Sequence, residues 1–426
     1  MPGKRQQGMS AYIAVTAAYW AFMLSDGALR MLVLLHFHTL GFSPVQLAYL
    51  FLLYELMGIV TNLSAGWLAA RFGLTSTLYT GLILQIAALI TLTQMNPDWP
   101  PVTSVLFVMA VQGLSGIAKD LAKMSSKSAV KLLAPSDDQG ALFRWVALLT
   151  GSKNAVKGFG FLLGAALLGL VGFDPAMLGM AAALGLVLIL IVMTMPSGLP
   201  GGTKGIKFCD VFSKNQNINR LSAARLFLFG ARDTWFVVGI PIYFYAVLSD
   251  GTPNGDRAAF FQVGTFMAAW IIGYGIVQAA APKLLRARSK GIAEIVGLAR
   301  NWVAVLTLIP ATLAVAVWSF PVASMGLTVT IVFGLLLFGA IFAVNSSIHS
   351  YLILAFSEAG RVTMDVGFYY MSNAAGRLAG TLLSGLSYQA GGLPACLATA
   401  AVMSSISWFC ASRLAKGHAG YGQEKT

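Results

Sequence analysis

The stretch "PSGLPGGTKGIKFCDVFSKNQNINR", residues 196–220, is a polar, basic, glycine-rich interruption in an otherwise apolar chain of 426 residues. On each side of it, hydropathy and turn residues mark six segments at the ~20-residue scale of a membrane span. The first six run over 10–38, 45–70, 76–95, 102–133, 140–171 and 176–195. The second six run over 218–248, 257–281, 292–318, 323–356, 362–390 and 393–414. The breaks "GFSP", "NPDWPP", "APSDDQG", "GFDP", "DGTPNGD", "SFP" and "GGLP" carry the glycines, prolines and short polar residues that turns require. The sequence therefore predicts an all-α membrane protein of twelve transmembrane helices. Its N-terminal half is 1–195, its cytoplasmic linker 196–217 and its C-terminal half 218–426.

Composition agrees. Hydrophobic residues make up 57% and charged residues 10%, against roughly 25% charged in a soluble domain. Mean hydropathy is +0.76. The net charge of +13 would point to nucleic acid in a soluble protein. Here basic loops and basic residues within spans account for it, and no nucleic-acid partner is expected. One set of loops holds Lys4, Arg5, Arg71, Lys131, Lys204, Lys207, Lys214, Arg220, Lys283, Arg286, Arg288, Lys290, Arg361, Arg413 and Lys416. The other holds His36, His38, Asp98, Asp174, Asp250 and Asp256, with Arg257 as its lone strong base. This asymmetry predicts a multi-pass protein of a cell membrane with both termini in the cytoplasm. The N-terminal "MPGKRQQGMS" reads as a cytoplasmic tail before the first span. Cys209, Cys396 and Cys410 form neither a CxxC nor a zinc spacing, so no metal and no disulfide framework are expected.

The halves carry a faint parallel repeat. "FMLSDGALRMLVLLHF" (22–37) aligns with "FGARDTWFVVGIPIYF" (229–244), which matches Asp26 with Asp233 and Phe37 with Phe244. "KGFGFLLG" (157–164) aligns with "RLAGTLLS" (377–384), which matches Lys157 with Arg377 and Gly160 with Gly380. A 6+6 parallel repeat is the layout of the major facilitator fold, with pseudo-two-fold halves and a substrate site at the midplane.

The charges inside the spans carry the functional reading. In "GIAKDLAKMSSKSAVKLL" (116–133), Lys119, Lys123, Lys127 and Lys131 recur every four residues. Each step turns a helix by ~400°, so the four form one stripe ~18 Å long. Lysine at the bilayer centre costs ~2.5–3.5 kcal/mol on insertion scales. Lys131 is assigned to snorkelling at the cytoplasmic edge and Lys127 is divided between the two roles, but a ~6 Å stem cannot carry Lys119 from the centre to either interface. "GSKNAVKGFG" (151–160) adds Lys153 and Lys157 one turn apart. Arg30 stands one turn from Asp26, within reach of a local pair. The interior bases are thus Arg30, Lys119, Lys123, Lys153, Lys157, Arg232 and Arg377, and the acids are Asp26, Glu55, Asp120 and Asp233. A set of purely structural ion pairs should balance, since an unpaired buried charge is costly. The cationic surplus points to an anionic small-molecule substrate with more than one negative group, held by arginine forks and lysine point charges. Asn345, in the polar run "VNSSIHSY" (344–351) of the tenth span, and Asn373 add hydrogen-bonding capacity. Asp26, Glu55, Asp120, Asp233 and His349 are the candidates for ion pairing or for carrying a coupled proton.

No GxxxxGK[ST] phosphate loop, paired catalytic carboxylates or nucleophile motif is present, so neither nucleotide-driven pumping nor an enzyme is expected, and no cofactor. "GWLAARFG" (66–73) resembles the signature turn of the major facilitator superfamily. Gly66, Leu68, Arg71 and Gly73 fit it, whereas Ala70 stands at the usual aspartate and Leu74 at the usual base.

A closer likeness covers nearly the whole chain. "SDGALRMLVLLHFHTLGFSPVQLAYLFLLYE" (25–55), "LSGIAKDLAKMSSKSAVKLL" (114–133), "LTGSKNAVKGFGFLLG" (149–164) and "LSAARLFLFGARDTWFVVG" (221–239) resemble the organoarsenical efflux permeases of bacterial arsenic-resistance operons. That resemblance implies a secondary transporter of the inner membrane exporting 1-arseno-3-phosphoglycerate. This ester forms when glyceraldehyde-3-phosphate dehydrogenase uses arsenate in place of phosphate, so a functional link to that enzyme is implied, and arsenate resistance with it. The residue assignments come from the charge argument and not from the likeness. Two other readings stay open: an exporter or exchanger of another organic anion such as an organophosphate, and a non-transporting membrane sensor.

Overall fold

The computed structural model describes residues 2–72, 74–133, 139–195, 213, 215–285, 290–320, 324–357 and 362–415. Side chains are described in these ranges except at 2–12, 63, 65–72, 74, 124, 127–133, 139–151 and 362–364. The "GWLAARFG" side chains, those of Lys127 and Lys131, and Cys209 with most of the central linker fall outside the described set.

Every regular element among the described residues is a helix. They are α1 (Pro2–Thr39), α2 (Pro44–Tyr49), α3 (Leu52–Phe72), α4 (Leu74–Leu92), α5 (Pro101–Leu133), α6 (Gln139–Val171) and α7 (Phe173–Thr194). They continue with α8 (Gln216–Phe236), α9 (Gly239–Leu248), α10 (Pro253–Leu284), α11 (Ile292–Ser319), α12 (Met325–Phe356) and α13 (Val362–Ser412). Eleven described segments are long and apolar enough to cross a bilayer. One of these covers two expected spans. α13 departs from helical geometry at Gly391 and Gly392, the latter at φ 63°, a conformation that glycine adopts without steric cost. Pro394 follows, so the expected break at "GGLP" divides α13 into the eleventh and twelfth spans.

Other turns follow their local chemistry. Ser43 caps α2 by accepting from the Gln46 amide, while the Gln46 side chain accepts from the Ser43 amide, and Pro44 opens the helix. This reciprocal capping box satisfies donors that a helix start leaves open.

Two spans expected to be continuous are interrupted. The 45–70 segment breaks at Leu50–Phe51, between α2 and α3. The 218–248 segment breaks at Val237–Val238, between α8 and α9. The second break has a local cause. Pro241 has no amide proton to offer the Val237 carbonyl, and its ring crowds that carbonyl. Within a membrane the freed backbone groups need partners inside the protein. The Ser384 hydroxyl of α13 accepts from the amides of Val238 (3.1 Å) and Gly239 (3.2 Å).

The chain resolves into two compact units, one of residues 1–208 with 244–272, the other of 209–243 with 273–426. In the first, α1 packs on α5, α6 and α7, and α5 packs on α3 and α4. In the second, α13 packs on α8 and α11, and α12 packs on α11 and α8. In each unit, helices cross with their backbones unusually close. A Cβ on Gly27 of α1 would lie 2.6 Å from the Lys157 carbonyl oxygen of α6. A Cβ on Gly380 of α13 would lie 2.6 Å from the Gly230 carbonyl oxygen of α8. Between apolar helices in lipid, dispersion contacts of this kind replace the hydrophobic effect as the source of association.

Candidate functional site

The α1–α6 crossing of the first unit places charge where the backbones meet. Lys157 donates to Asp26 Oδ2 at 3.0 Å, and the Tyr54 hydroxyl of α3 donates to Asp26 Oδ1. Arg30, one turn beyond Asp26, turns instead to Glu55 of α3, with Nη1 3.0 Å from Oε1. The local Asp26–Arg30 pair expected from spacing is therefore replaced by two tertiary pairs. Both acids are almost fully buried, and each gains a base from another helix where a partner one turn away would have left the other unmatched. The guanidinium of Arg30 also faces the rings of Phe51 and Tyr54, at 5.0 and 5.6 Å.

A second cluster adjoins the first on α5. Lys123 donates to Asp120 Oδ1 (3.2 Å) and to Asn62 Oδ1 (2.9 Å), and Thr61 of α3 donates to Asp120 Oδ2. Asp120 thus binds both its own helix and α3. Lys119 lies 4.0 Å from the centre of the Tyr54 ring, and its charge acts on both Asp26 and Asp120. It connects the two acid-centred clusters, and at 9% exposure it is the deepest lysine of the stripe that the structure describes. Lys153 is partly buried on α6. One residue before it the fold is pinned by Trp20 of α1, whose indole donates to Ser152 at 2.8 Å.

In the second unit, Asp233 of α8 receives two arginines. Arg232 donates from Nε to Oδ1 at 2.6 Å, and Arg377 of α13 donates from Nε to Oδ2 at 3.3 Å. Two turns earlier on α8 stands Arg225, a base absent from the expected site. It is 4% exposed. Its Nε donates to Asn373 of α13 (3.1 Å), and its Nη1 donates to the Ser346 carbonyl (3.2 Å) and hydroxyl (2.9 Å) of α12. No carboxylate among the described residues lies within ion-pair distance of it. Asn345 and His349 flank Ser346 on α12 and are fully buried. His349 makes no hydrogen bond from either ring nitrogen, and Asn345 Oδ1 has none. The tenth-span polar run is thus mostly packed inside the unit. Asn345, Ser346 and His349 are all 0% exposed.

Setting aside residues at helix ends, Arg30, Lys119, Lys123, Lys153, Lys157, Arg225, Arg232 and Arg377 make eight interior bases among the described residues. Asp26, Glu55, Asp120 and Asp233 make four acids, and Asp365, buried in the first turn of α13, makes a fifth. Arg225 and Asp365 offset each other in this count, so the cationic surplus read from sequence stands. The signal for Arg225 was faint: it lies seven residues before Arg232, on the same helical face. An open depression of about 380 Å³ lined by Leu168, Gly172, Pro253, Asp256, Arg257 and Phe260 holds none of the expected site residues.

The profile of the Major Facilitator Superfamily matches residues 12–381. The chain belongs to this superfamily. Solved transporter structures share its fold. It is similar to the nucleoside transporter NupG at 15% identity and TM-score 0.68, over 96% of this chain and 98% of that one. It is also similar to a POT family transporter in complex with a thioalcohol-conjugated peptide, at 13% identity and TM-score 0.68, over 93% and 94% of the two chains. A POT family transporter in complex with 5-aminolevulinic acid gives 14% identity and TM-score 0.69, over 93% and 94%. No curated protein sequence matches the chain. It is a membrane transporter of the major facilitator type, and the expected all-helical architecture stands.

Proposed function

We propose that this transporter exports 1-arseno-3-phosphoglycerate from the cytoplasm by alternating access, and so confers resistance to arsenate. The observation that carries the reading is the interior charge count: five carboxylates, buried Asp365 included, cannot neutralise eight cations, and a buried uncompensated cation is costly unless a ligand answers it. The likeness to organoarsenical permeases supplies an ester with a phosphate at one end and an arsenate at the other. The supply of that ester links the transporter to glyceraldehyde-3-phosphate dehydrogenase. The arrangement we take is two six-helix halves, 1–195 and 218–426, with linker 196–217 and both termini cytoplasmic in a bacterial inner membrane.

In this reading Lys119, Lys123, Lys153 and Lys157 bind from the N-terminal half, and Arg232, Arg377, Asn345 and Asn373 from the C-terminal half. Arg30 holds Glu55 in the resting state. Cargo competes with Asp26, Asp120 and Asp233 for their cations. The carboxylates so released, with Glu55 and His349, are the candidates for coupled protonation. Binding favours whichever state brings the most cations to the anion.

The test is uptake into everted vesicles supplied with the dehydrogenase, its substrate and arsenate. Arsenic accumulates with the wild type, and Lys119→Ala and Lys153→Ala reduce it at equal protein level. Normal uptake by both variants removes the assigned site. Collapse of the proton gradient stops proton antiport and leaves exchange against external phosphate running. Competition by 3-phosphoglycerate against unrelated phosphates ranks the arsenical against other organophosphates. Ligand binding without flux in liposomes makes the protein a sensor.

A further inference from the structure

We infer that Arg225 is an oxyanion-binding residue, the centre of a second anion subsite on α8 that takes a phosphate-like group at one end of the cargo. The inference rests on the anion-carrier reading above and adds a position to it.

The geometry around Arg225 is a built site with open donors. The guanidinium has only donors, so Nε fixes the Asn373 amide with its oxygen inward. The Asn373 Nδ2 group is then directed away, and it makes no hydrogen bond among the described residues. The Nη2 group of Arg225 likewise makes none, since Nε and Nη1 carry all its bonds. Neither nitrogen belongs to the fully enclosed unbonded atoms. The floor of the site is Ser346 Oγ, held by Arg225 Nη1 (2.9 Å) and Gln278 Nε2 (3.2 Å), with the Tyr274 hydroxyl at 3.4 Å.

The cation is positioned firmly without being neutralised. Its guanidinium lies 4.0 Å from the Phe229 ring and 5.0 Å from the Tyr369 ring. Aromatic faces and neutral oxygens stabilise a guanidinium and leave its charge in place. A purely structural role gives no reason for a full charge here, because a buried cation without a carboxylate costs several kcal/mol. A fixed fork with one free prong beside a free amide matches an acceptor with several oxygens, such as a phosphate ester or a related tetrahedral oxyanion.

Arg225 is also joined to the other C-terminal cations. Arg232 faces the same Phe229 ring at 4.8 Å. Arg225, Phe229 and Arg232 follow the i, i+4, i+7 spacing of one helical face, two turns or ~10 Å end to end. The face presents two guanidiniums along one line. One is already answered by Asp233 and the other by no acid among the described residues. A short carbon chain with an acid group at each end suits that line.

The experiment uses the purified full chain in lipid nanodiscs, with 3-phosphoglycerate and inorganic phosphate as probes in calorimetric titrations at several salt concentrations. Three variants are compared: Arg225→Gln, Arg225→Lys and Asn373→Asp. The last is nearly isosteric and offers Arg225 Nε a carboxylate, so it cancels the charge while keeping the contact. Arg225→Gln and Asn373→Asp are expected to weaken binding roughly ten-fold or more, the factor a charge-assisted hydrogen bond commands. Both are expected to flatten the salt dependence, and Arg225→Lys to recover part of each. Should Arg225→Gln fail to fold, Asn373→Asp decides alone, through its affinity and its unchanged thermal midpoint. Wild-type affinity and salt dependence in Asn373→Asp overturn the subsite and leave the carrier reading intact. Absence of probe binding by the wild type overturns both.

Discussion

The α1–α6 crossing of the first unit and the α8–α13 crossing of the second are built on one plan and finished differently. In each, small residues let two backbones touch, and an aspartate on the first helix meets a base on the other: Asp26 with Lys157, and Asp233 with Arg377. These are the positions that the sequence repeat aligns. The finish differs in the cations. Asp26 takes one lysine and a tyrosine hydroxyl, whereas Asp233 takes two arginines. The contrast extends outward. Lys119, Lys123, Lys153 and Lys157 supply most of the first unit's interior positive charge, and Arg225, Arg232 and Arg377 supply that of the second among the described residues. Lysine is a mobile point charge and arginine a planar fork. The repeat thus preserves the crossing and the carboxylate, and it diverges in the chemistry that an anion meets.

The sharpest break of this comparison is removal of the two aspartates. Asp233→Asn leaves two arginines without their shared counter-charge. Breaking a buried pair costs about 3–5 kcal/mol, so this variant should lose most of its folded protein or show a large drop in thermal midpoint. Asp26→Asn takes the carboxylate from Lys157, leaves Asp120 to answer Lys119 and keeps an acceptor for Tyr54, so its midpoint should fall by less. Equal losses would mean that the second arginine adds nothing to what Asp233 holds.

The glycines of the crossings come next. An alanine at Gly160 would run into the Leu24 carbonyl oxygen and Gly27, and one at Gly380 would meet the Gly230 carbonyl oxygen at 2.6 Å and Asp233 Cβ at 2.8 Å. Overpacking of this kind costs typically 1–3 kcal/mol. Both Gly160→Ala and Gly380→Ala should lower the thermal midpoint. Only Gly380→Ala presses directly on the acid, so it should lower transport per folded molecule further. Similar transport by the two would detach the Asp233 cluster from function.

Much of this was legible in the sequence, for local reasons. Span length, "GGLP" and "GFDP" depend on hydropathy and on glycine and proline within a few residues, and the helices end where those signals stand. The break at Val237–Val238 was readable too, since Pro241 sits four residues on. Pairing was harder. Asp26 and Arg30 are one turn apart, yet Asp26 chooses Lys157, 131 residues away, and Arg30 chooses Glu55. Which helix lies beside which is a tertiary fact, and a charge follows its nearest buried opposite. Arg225 gives little sign of itself in sequence, as a single base in the apolar run "LSAARLFLFG". Its meaning comes from Asn373 and Ser346, on helices far along the chain.

The mildest test exchanges the cations themselves, with Lys157→Arg and Arg377→Lys made singly and together. Lys157 reaches Asp26 through Nζ at 3.0 Å, and Arg377 reaches Asp233 through Nε at 3.3 Å while Arg232 occupies the other oxygen. Each exchange keeps a positive charge on its carboxylate, so no buried ion is left bare. The thermal midpoint should therefore move little, with a cost below about 1.5 kcal/mol, near that of one ordinary hydrogen bond. Transport should respond more strongly. Arg377→Lys removes a fork that can hold two oxygens of an oxyanion at once, and should raise the apparent KM for cargo several-fold. Lys157→Arg adds a fork where a point charge served, and should change KM less than Arg377→Lys does. If the double exchange restores the wild-type KM, the two positions are interchangeable and the divergence between the crossings is structural drift. If it retains the defect of Arg377→Lys, each unit reads its own part of the anion.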